Sequence, residues 1–153
     1  MKLEFITQDD SRYILPFFDE FVRYYQSEFQ IGMISLCPTM GQRPRWQLAK
    51  ELLWLYGTRG FAQLGTAALL NRLLGSLPTA KEAREFHTIA QLCRACDIPC
   101  QRLADPNGAA FTGALQQRAS EILVSVACPY ILTGPLLRLP QLGCITCRLF
   151  LGL

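Results

Sequence analysis

Two uncharged apolar runs constrain the fold of this chain more than any other feature. Residues 31–37 read Ile-Gly-Met-Ile-Ser-Leu-Cys, and residues 122–127 read Ile-Leu-Val-Ser-Val-Ala. Unbroken apolarity of this length is typical of strands that are buried on both faces, as in a parallel sheet covered by helices on each side. Parallel neighbours need a long crossover connection, so helices are expected between the strands. The two runs therefore predict an α/β fold.

The rest of the chain alternates in the same way. The predicted strands are residues 3–6, 31–37, 97–103, 122–127 and one that starts at residue 144, and the predicted helices are residues 16–28, 81–96, 109–119 and a turn or two at 136–139. About five strands in alternation with helices predict a doubly wound, mostly parallel Rossmann-like sheet within one domain, residues 1–153. Ligands of such sheets bind beyond the carboxyl ends of the strands.

Residues 43–77 depart from a simple crossover. Apolar side chains occupy more than one helical face, and the run is interrupted at Gly57 and Gly60. We therefore predict a two-helix insert after the second strand. Packing of these helices on the sheet and on each other is the first expectation, because apolar stripes are usually buried. Docking on a partner or on a membrane surface is the alternative.

Composition excludes several classes of protein. The net charge of +3, from 15 basic and 12 acidic residues, is too weak for the field of a dedicated nucleic-acid binder. The longest uncharged run, residues 122–137, contains two prolines and is shorter than the ~20 apolar residues of a spanning helix. The amino terminus lacks the continuous apolar region of a signal peptide. We expect a cytoplasmic protein whose seven cysteines stay reduced.

The cysteines and the single histidine are candidate functional groups. Cys93-x-x-Cys96 and Cys144-x-x-Cys147, with Cys100 nearby, have the spacing of zinc ligands. Buried reduced thiols are the main expectation, and a structural zinc site is the open alternative. His87 is predicted on the polar half of the 81–96 helix, in a non-catalytic role. Residues 7–11 lack the glycines of a dinucleotide-binding loop, so nicotinamide chemistry is not supported.

Residues 121–146 carry a resemblance to a known family. The segment Leu-Pro-Gln-Leu-Gly-Cys-Ile-Thr at residues 139–146 follows a buried strand, an Ile-Leu loop and a short helix. This order resembles the amino-terminal domain of the 10-formyltetrahydrofolate-dependent formyltransferases, in which the last segment reads Leu-Pro-x-x-Gly-Cys-Ile-Asn. The first strand and the unit at residues 90–103 fit the family's layout more loosely.

The resemblance implies transfer of a formyl group from 10-formyltetrahydrofolate to an amine of methionyl-tRNA, of a sugar or of glycinamide ribonucleotide. It implies that the loop at Pro129, Tyr130, Ile131 and Leu132 holds the pterin ring through main-chain contacts. In the family, an Asn-x-His pair stabilises the oxyanion of the tetrahedral intermediate, and a later aspartate assists proton movement.

This chain departs from the family at the catalytic positions. Thr146 stands where the asparagine is expected, and Arg148 stands where the histidine is expected. Neither side chain is a base that titrates near neutral pH. We therefore expect an inactive, truncated or frameshifted relative with an incomplete sheet and weak folate binding. The alternative is a non-catalytic interaction or regulatory module that uses residues 43–77.

A further expectation concerns the last strand. If the sheet stops at its fifth strand, an apolar edge at residues 144–149 stays open, and open edges pair with other chains. The sequence therefore predicts self-association through this edge.

Overall fold

A computed structural model describes residues 1–38, 45–76 and 86–147 of the chain. The strands are β1 (Lys2–Gln8), β2 (Gln30–Cys37), β3 (Cys100–Arg102), β4 (Ile122–Val126) and β5 (Gly143–Cys147). The helices are α1 (Ile14–Tyr25), α2 (Arg45–Leu74), α3 (Ile89–Ala95), α4 (Ala109–Arg118) and α5 (Gly134–Leu137). Residues 148–153, with Arg148, lie outside the described residues, as do residues 39–44 and 77–85.

The five strands form one parallel sheet in the order β3-β2-β1-β4-β5. The central strand β1 pairs with β2 on one side and with β4 on the other, so the direction of winding reverses beside it. The predicted α/β, Rossmann-like fold is confirmed. Four strands match their predicted positions closely, whereas β3 is only three residues long, at Cys100–Arg102.

Side chains of β1 alternate between two core clusters, one on each face of the sheet. Leu3 and Phe5 belong to the first cluster, which contains buried side chains of α1 and α3. Ile6 belongs to the second cluster, with residues of α4 and α5. This alternation follows from the two-residue period of a strand. Helices therefore cover both faces of the sheet.

Phe5 is the centre of an aromatic group on the first face. Its ring is 5.3 Å from the ring of Phe18 and 5.3 Å from that of Phe21, in edge-on arrangements that aromatic rings favour. Phe18 is fully buried, whereas Phe17, one position earlier on the same helix, is 41% exposed. The aromatic residues of α1 thus fix the helix to the middle of the sheet.

Glu4 faces the second cluster and is neutralised there by an ion pair. Its two carboxylate oxygens accept hydrogen bonds from Nε and Nη2 of Arg118, at 2.6 and 2.9 Å. Arg118 is the last residue of α4, and its carbonyl accepts from Nζ of Lys2 at 2.8 Å. The pair therefore joins the central strand to the end of a helix 114 residues away.

The insert after β2 is α2, and its helical path is broken at Gly57. The dihedral angles there are φ 65° and ψ 178°, a conformation that favours glycine. The break predicted at Gly57 is confirmed, whereas the helix continues through Gly60, where a break was also predicted. The expected burial of the insert is wrong, because most described side chains of α2 are exposed and Trp54 is 88% exposed.

The carboxyl end of α2 is fixed to the rest of the molecule by polar contacts. Nδ2 of Asn71 donates to Oγ of Ser11 at 3.3 Å. The carbonyl of Leu74 accepts from Nε2 of Gln91, and the carbonyl of Gly75 accepts from Nη2 of Arg94. A Cβ atom on Gly75 would collide with Thr88, so only glycine fits at this close approach.

The placement of His87 on a helix is wrong. Helix α3 begins at Ile89, and the described residues before it are not helical. Thr88 caps the helix, with Oγ1 accepting from the Gln91 N–H at 3.1 Å, while Oε1 of Gln91 accepts from the His87 N–H at 2.8 Å. This reciprocal arrangement is close to a capping box, whose Thr-x-x-Gln signature marks a helix start.

Among the residues that the structure describes, none of the helices has both the length and the apolar character that a membrane span requires.

Candidate functional site

A cleft of about 560 Å³ opens at the carboxyl ends of β1, β4 and β5. It lies beside the point where the order of the strands reverses, which is where doubly wound sheets bind ligands. The cleft is lined by Gln8, Asp10, Tyr13, Ser125, Ala127, Cys128, Pro129, Tyr130, Ile131, Leu132, Leu137, Thr146 and Cys147. All four loop residues that the sequence singled out, Pro129 to Leu132, are in this lining.

Asn107 holds the 129–132 loop in place from the neighbouring turn. Its Nδ2 donates to the Ile131 carbonyl at 2.9 Å, and its Oδ1 accepts from the Thr133 N–H at 2.9 Å and from the Thr133 hydroxyl at 3.0 Å. The Tyr130 hydroxyl donates to the carbonyl of Ala104 at 2.7 Å. These contacts give the loop one defined conformation, although it has no regular secondary structure.

The fixed loop presents unused peptide groups and an apolar side chain. Among the described residues, neither the N–H nor the carbonyl of Leu132 has a hydrogen-bond partner. The Ile131 side chain beside them is 83% exposed. A free donor and a free acceptor next to apolar surface suit the edge and the face of a flat heterocycle.

Two thiols that follow or end different strands lie close together beside the cleft, and of the two only Cys128 lines it. Cys37 is the last residue of β2 and is buried. Cys128 follows Ala127, which comes directly after β4 and has a left-handed backbone conformation. The Cys37 side chain hydrogen-bonds to Cys128, and this bond, with smaller contributions from the Tyr130 N–H and from Ser125, lowers the pKa of Cys128 to about 7. The same bond and burial raise the pKa of Cys37 far above its usual range.

A second thiol pair lies away from the cleft. Cys93 of α3 is buried, and its pKa is raised by a side-chain hydrogen bond with Cys100 and by burial. The same bond lowers the pKa of Cys100 at the start of β3. This pair belongs to the side of the molecule where α3 packs.

The two Cys-x-x-Cys motifs are not brought together. Cys93 and Cys96 belong to the first core cluster, whereas Cys144 packs against the second, on the opposite face of the sheet. A site of four thiolates drawn from both motifs is therefore not formed. Within residues 1–38, 45–76 and 86–147, no three histidine, cysteine or acidic side chains are grouped as metal ligands.

Of Thr146 and Arg148, the two positions that the resemblance compares with catalytic residues, only Thr146 is among the described residues. It is exposed in the cleft on β5, in register with Ser125 of β4. Arg148 lies outside the described residues. Thr146 offers one hydroxyl, which can donate a hydrogen bond but is not a base near neutral pH. Asp10, an acidic residue of the lining, accepts hydrogen bonds from the N–H groups of Arg12 and Tyr13.

Several cleft residues were not predicted from the sequence. The end of β1 and the loop that follows it contribute Gln8, Asp10 and Tyr13 to the lining. Cys128 follows β4, and Cys147 is the last residue of β5. The polar run at residues 7–11, which contains Gln8 and Asp10, was a usable signal for this part of the cleft, because it directly follows a central strand.

The comparison of the sequence with family models and with curated proteins finds no match.

Proposed function

We propose that this chain is a formyltransferase-like domain that binds a 10-formylated folate in the cleft at the carboxyl edge of the sheet. The observation that carries the proposal is the loop at Pro129, Tyr130, Ile131 and Leu132, which lines the cleft and is fixed by Asn107. This is the segment in which the resemblance to the formyltransferases places the pterin. A cytoplasmic location belongs to the proposal, and the absence of disulfides among the seven cysteines supports it.

The chemistry of the loop supports pterin binding. A pterin ring has hydrogen-bond donors and acceptors in its plane, and the unpaired N–H and carbonyl of Leu132 complement that pattern. The exposed Ile131 side chain offers apolar surface to the face of the ring. Binding through the main chain depends on the path of the loop more than on its side chains.

Formyl transfer by this chain is not part of the proposal. Transfer needs a group that stabilises the oxyanion and a base that removes a proton from the amine. Thr146 supplies at most the first function, because its hydroxyl is not a neutral-pH base. The amine acceptors of the family, methionyl-tRNA, sugar amines and glycinamide ribonucleotide, are therefore not expected to be formylated.

Calorimetry with a stable N-formyl tetrahydrofolate tests the proposal. We expect one binding site and no formylated amine when an acceptor is added. Asn107→Ala should weaken binding about tenfold, because the loss of the contacts that order the loop costs about 1.4 kcal/mol.

The matched control is Gln26→Ala, which removes one side-chain to main-chain hydrogen bond, to Cys96, on another part of the molecule. It should leave the affinity unchanged. Absence of heat and of thermal stabilisation at millimolar folate would exclude the proposal. Equal losses of affinity in the two variants would show that the loop is not the site.

A second candidate function is an interaction module built on α2. The observation in its favour is the exposure of large apolar side chains along both parts of the helix: Trp46, Leu53, Trp54, Leu55, Tyr56, Leu69, Leu70 and Leu73. Monomeric proteins rarely expose an apolar surface of this extent unless it binds something. The exposed edge of β5, with Ile145 half exposed, is a separate route to self-association.

Sedimentation velocity separates these surfaces. We expect the wild-type chain to associate as its concentration rises, and Trp54→Lys with Leu69→Lys to abolish most of that association. Ile145→Lys tests the edge of the sheet and should have the smaller effect, because it places one charge on a short strand. A wild-type chain that stays monomeric at 100-fold different concentrations would contradict both routes.

A further inference from the structure

The exposed apolar surface of α2 coincides with the excess positive charge of the chain. Residues 45–74 contain four basic residues and one acidic residue, whereas the remainder of the chain contains equal numbers of the two. The net charge of +3 therefore belongs to this helix. Among the residues that the structure describes, α2 also has half of the exposed large apolar side chains, although it makes up less than a quarter of these residues. A partner that fits this surface has to combine apolar contact with negative charge.

The second part of α2 turns its leucines away from the rest of the molecule. Asn71 fixes this part, because its Nδ2 donates to Oγ of Ser11. With 3.6 residues per turn, positions two residues apart on a helix point about 200° away from each other. Leu69 and Leu73 therefore lie on the side opposite Asn71, and both are exposed. The contact with Ser11 thus holds an apolar stripe toward solvent.

The first part of α2 presents both tryptophans of the chain. Trp46, Leu53 and Trp54 are seven and eight positions apart, which places them on one side of the helix, and all three are exposed. Lys50 lies on the same side, with Nζ 5.3 Å from the centre of the Trp46 ring. Exposed tryptophan and leucine beside basic residues is the combination with which helices lie in the boundary between lipid headgroups and acyl chains.

We infer that α2 docks this protein on the surface of a bilayer that contains anionic lipid. The inference rests on the second candidate function, the interaction module built on α2, and names its partner. The apolar side chains of α2 insert below the headgroups, and its basic residues contact lipid phosphates. Anionic leaflets attract basic segments in this way.

A second copy of the chain fits this surface less well than an anionic bilayer does. Pairing of α2 with another α2 covers the apolar side chains but places two positively charged helices against each other, and like charges across an interface are unfavourable. Self-association through α2 is therefore the state that we expect without lipid, and an anionic bilayer should compete with it.

The tryptophans make the docking surface its own probe, because all tryptophan emission of the chain comes from α2. The full chain, at a concentration below that of self-association, is mixed with vesicles of equal parts phosphatidylcholine and phosphatidylglycerol, or of phosphatidylcholine alone. We expect a shift of emission to shorter wavelength and cosedimentation with the anionic vesicles, and at least about tenfold weaker binding to the neutral ones. Salt at about 1 M, which shortens the screening length to about 3 Å, should weaken binding to the anionic vesicles similarly.

Two charge variants locate the electrostatic contribution. Lys50→Glu with Arg59→Glu reverses two exposed charges on α2 and should weaken binding to the anionic vesicles at least about thirtyfold. Arg12→Glu with Arg138→Glu makes the same change in net charge at exposed positions outside α2. This matched control should bind within about threefold of the wild-type chain, because its substitutions are not held against the lipid.

Two further variants locate the apolar contribution. Leu69→Ser with Leu73→Ser leaves the charge and both tryptophans in place and should weaken binding at least about tenfold, because apolar surface no longer leaves water. Tyr24→Ser with Leu142→Ser removes exposed apolar side chains from other elements and should leave binding unchanged. Every variant has to unfold at the wild-type temperature, so that a loss of binding is not a loss of fold.

Each alternative result has a distinct meaning. Equal losses in the two charge variants, or equal affinity for neutral and anionic vesicles, would overturn the inference. A chain that ignores vesicles but self-associates through Trp54 and Leu69 would overturn it as well, and would leave the interaction module in place with a second copy as partner. A chain that neither binds vesicles nor associates would contradict both the inference and the second candidate function.

Discussion

Phe5→Ala is expected to lower the free energy of unfolding by about 4 kcal/mol, the largest effect of any single substitution considered. Phe5 is 1% exposed in the central strand, and its ring contacts Phe18 and Phe21. Truncation removes buried apolar surface and leaves a cavity between β1 and α1 that rigid neighbours cannot fill. Urea denaturation followed by circular dichroism measures the change.

Phe17→Ala is the matched control for this prediction. The residue is on α1 beside Phe18 but is 41% exposed. Its loss should cost about 1 kcal/mol, because much of its surface is already in water. Comparable losses in the two variants would mean that α1 does not pack on the sheet through the helix face that carries Phe18.

Arg118→Met is expected to cost about 3 kcal/mol of unfolding free energy at neutral pH. The substitution keeps much of the volume of the side chain but removes the charge that neutralises Glu4. The Glu4 side chain is 1% exposed and receives two hydrogen bonds from Arg118. A buried carboxylate without a partner is far more costly than a missing surface charge.

The double variant Glu4→Leu with Arg118→Met separates charge from packing. It should recover most of the lost stability, because an apolar pair of similar volume can replace a buried ion pair. Arg23→Ala, which breaks the exposed pair with Asp19, should change stability by less than about 1 kcal/mol. A double variant as unstable as Arg118→Met would show that packing, and not the stranded charge, accounts for the loss.

The sequence was sufficient for the fold because strong local patterns coincide with the elements. The uncharged runs at residues 31–37 and 122–127 became β2 and β4, which flank the central strand. Sequence patterns were less reliable for the features that tertiary contacts determine, which are the start of α3 and the exposure of α2. The polar residues before α3 resemble a helical surface in the sequence, although the capping signature at Thr88 and Gln91 marks the start of the helix. The exposure of α2 corresponds to the alternative expectation and not to the first one, because apolar residues are normally assigned to a core.

The candidate site was predictable only in part, for a physical reason. The loop at Pro129 to Leu132 is contiguous, so a sequence motif could identify it. The Cys37–Cys128 pair joins residues 91 positions apart, at the ends of strands that are separated in the sheet by β1. Such a contact depends on strand order, which no local pattern in this chain encodes.

The buried ion pair sets a condition on the order of assembly. Glu4 is synthesised before its partner, which follows 114 residues later in the chain. At ribosomal rates of about 5–20 residues per second, the carboxylate waits roughly 6 to 23 s for its guanidinium. During that interval, β1, α1 and β2 can pack together on the face of the sheet that carries Phe5. The opposite face, which carries Glu4, has to stay hydrated. The central strand is therefore completed in two stages, and α4 closes the second face when Arg118 arrives.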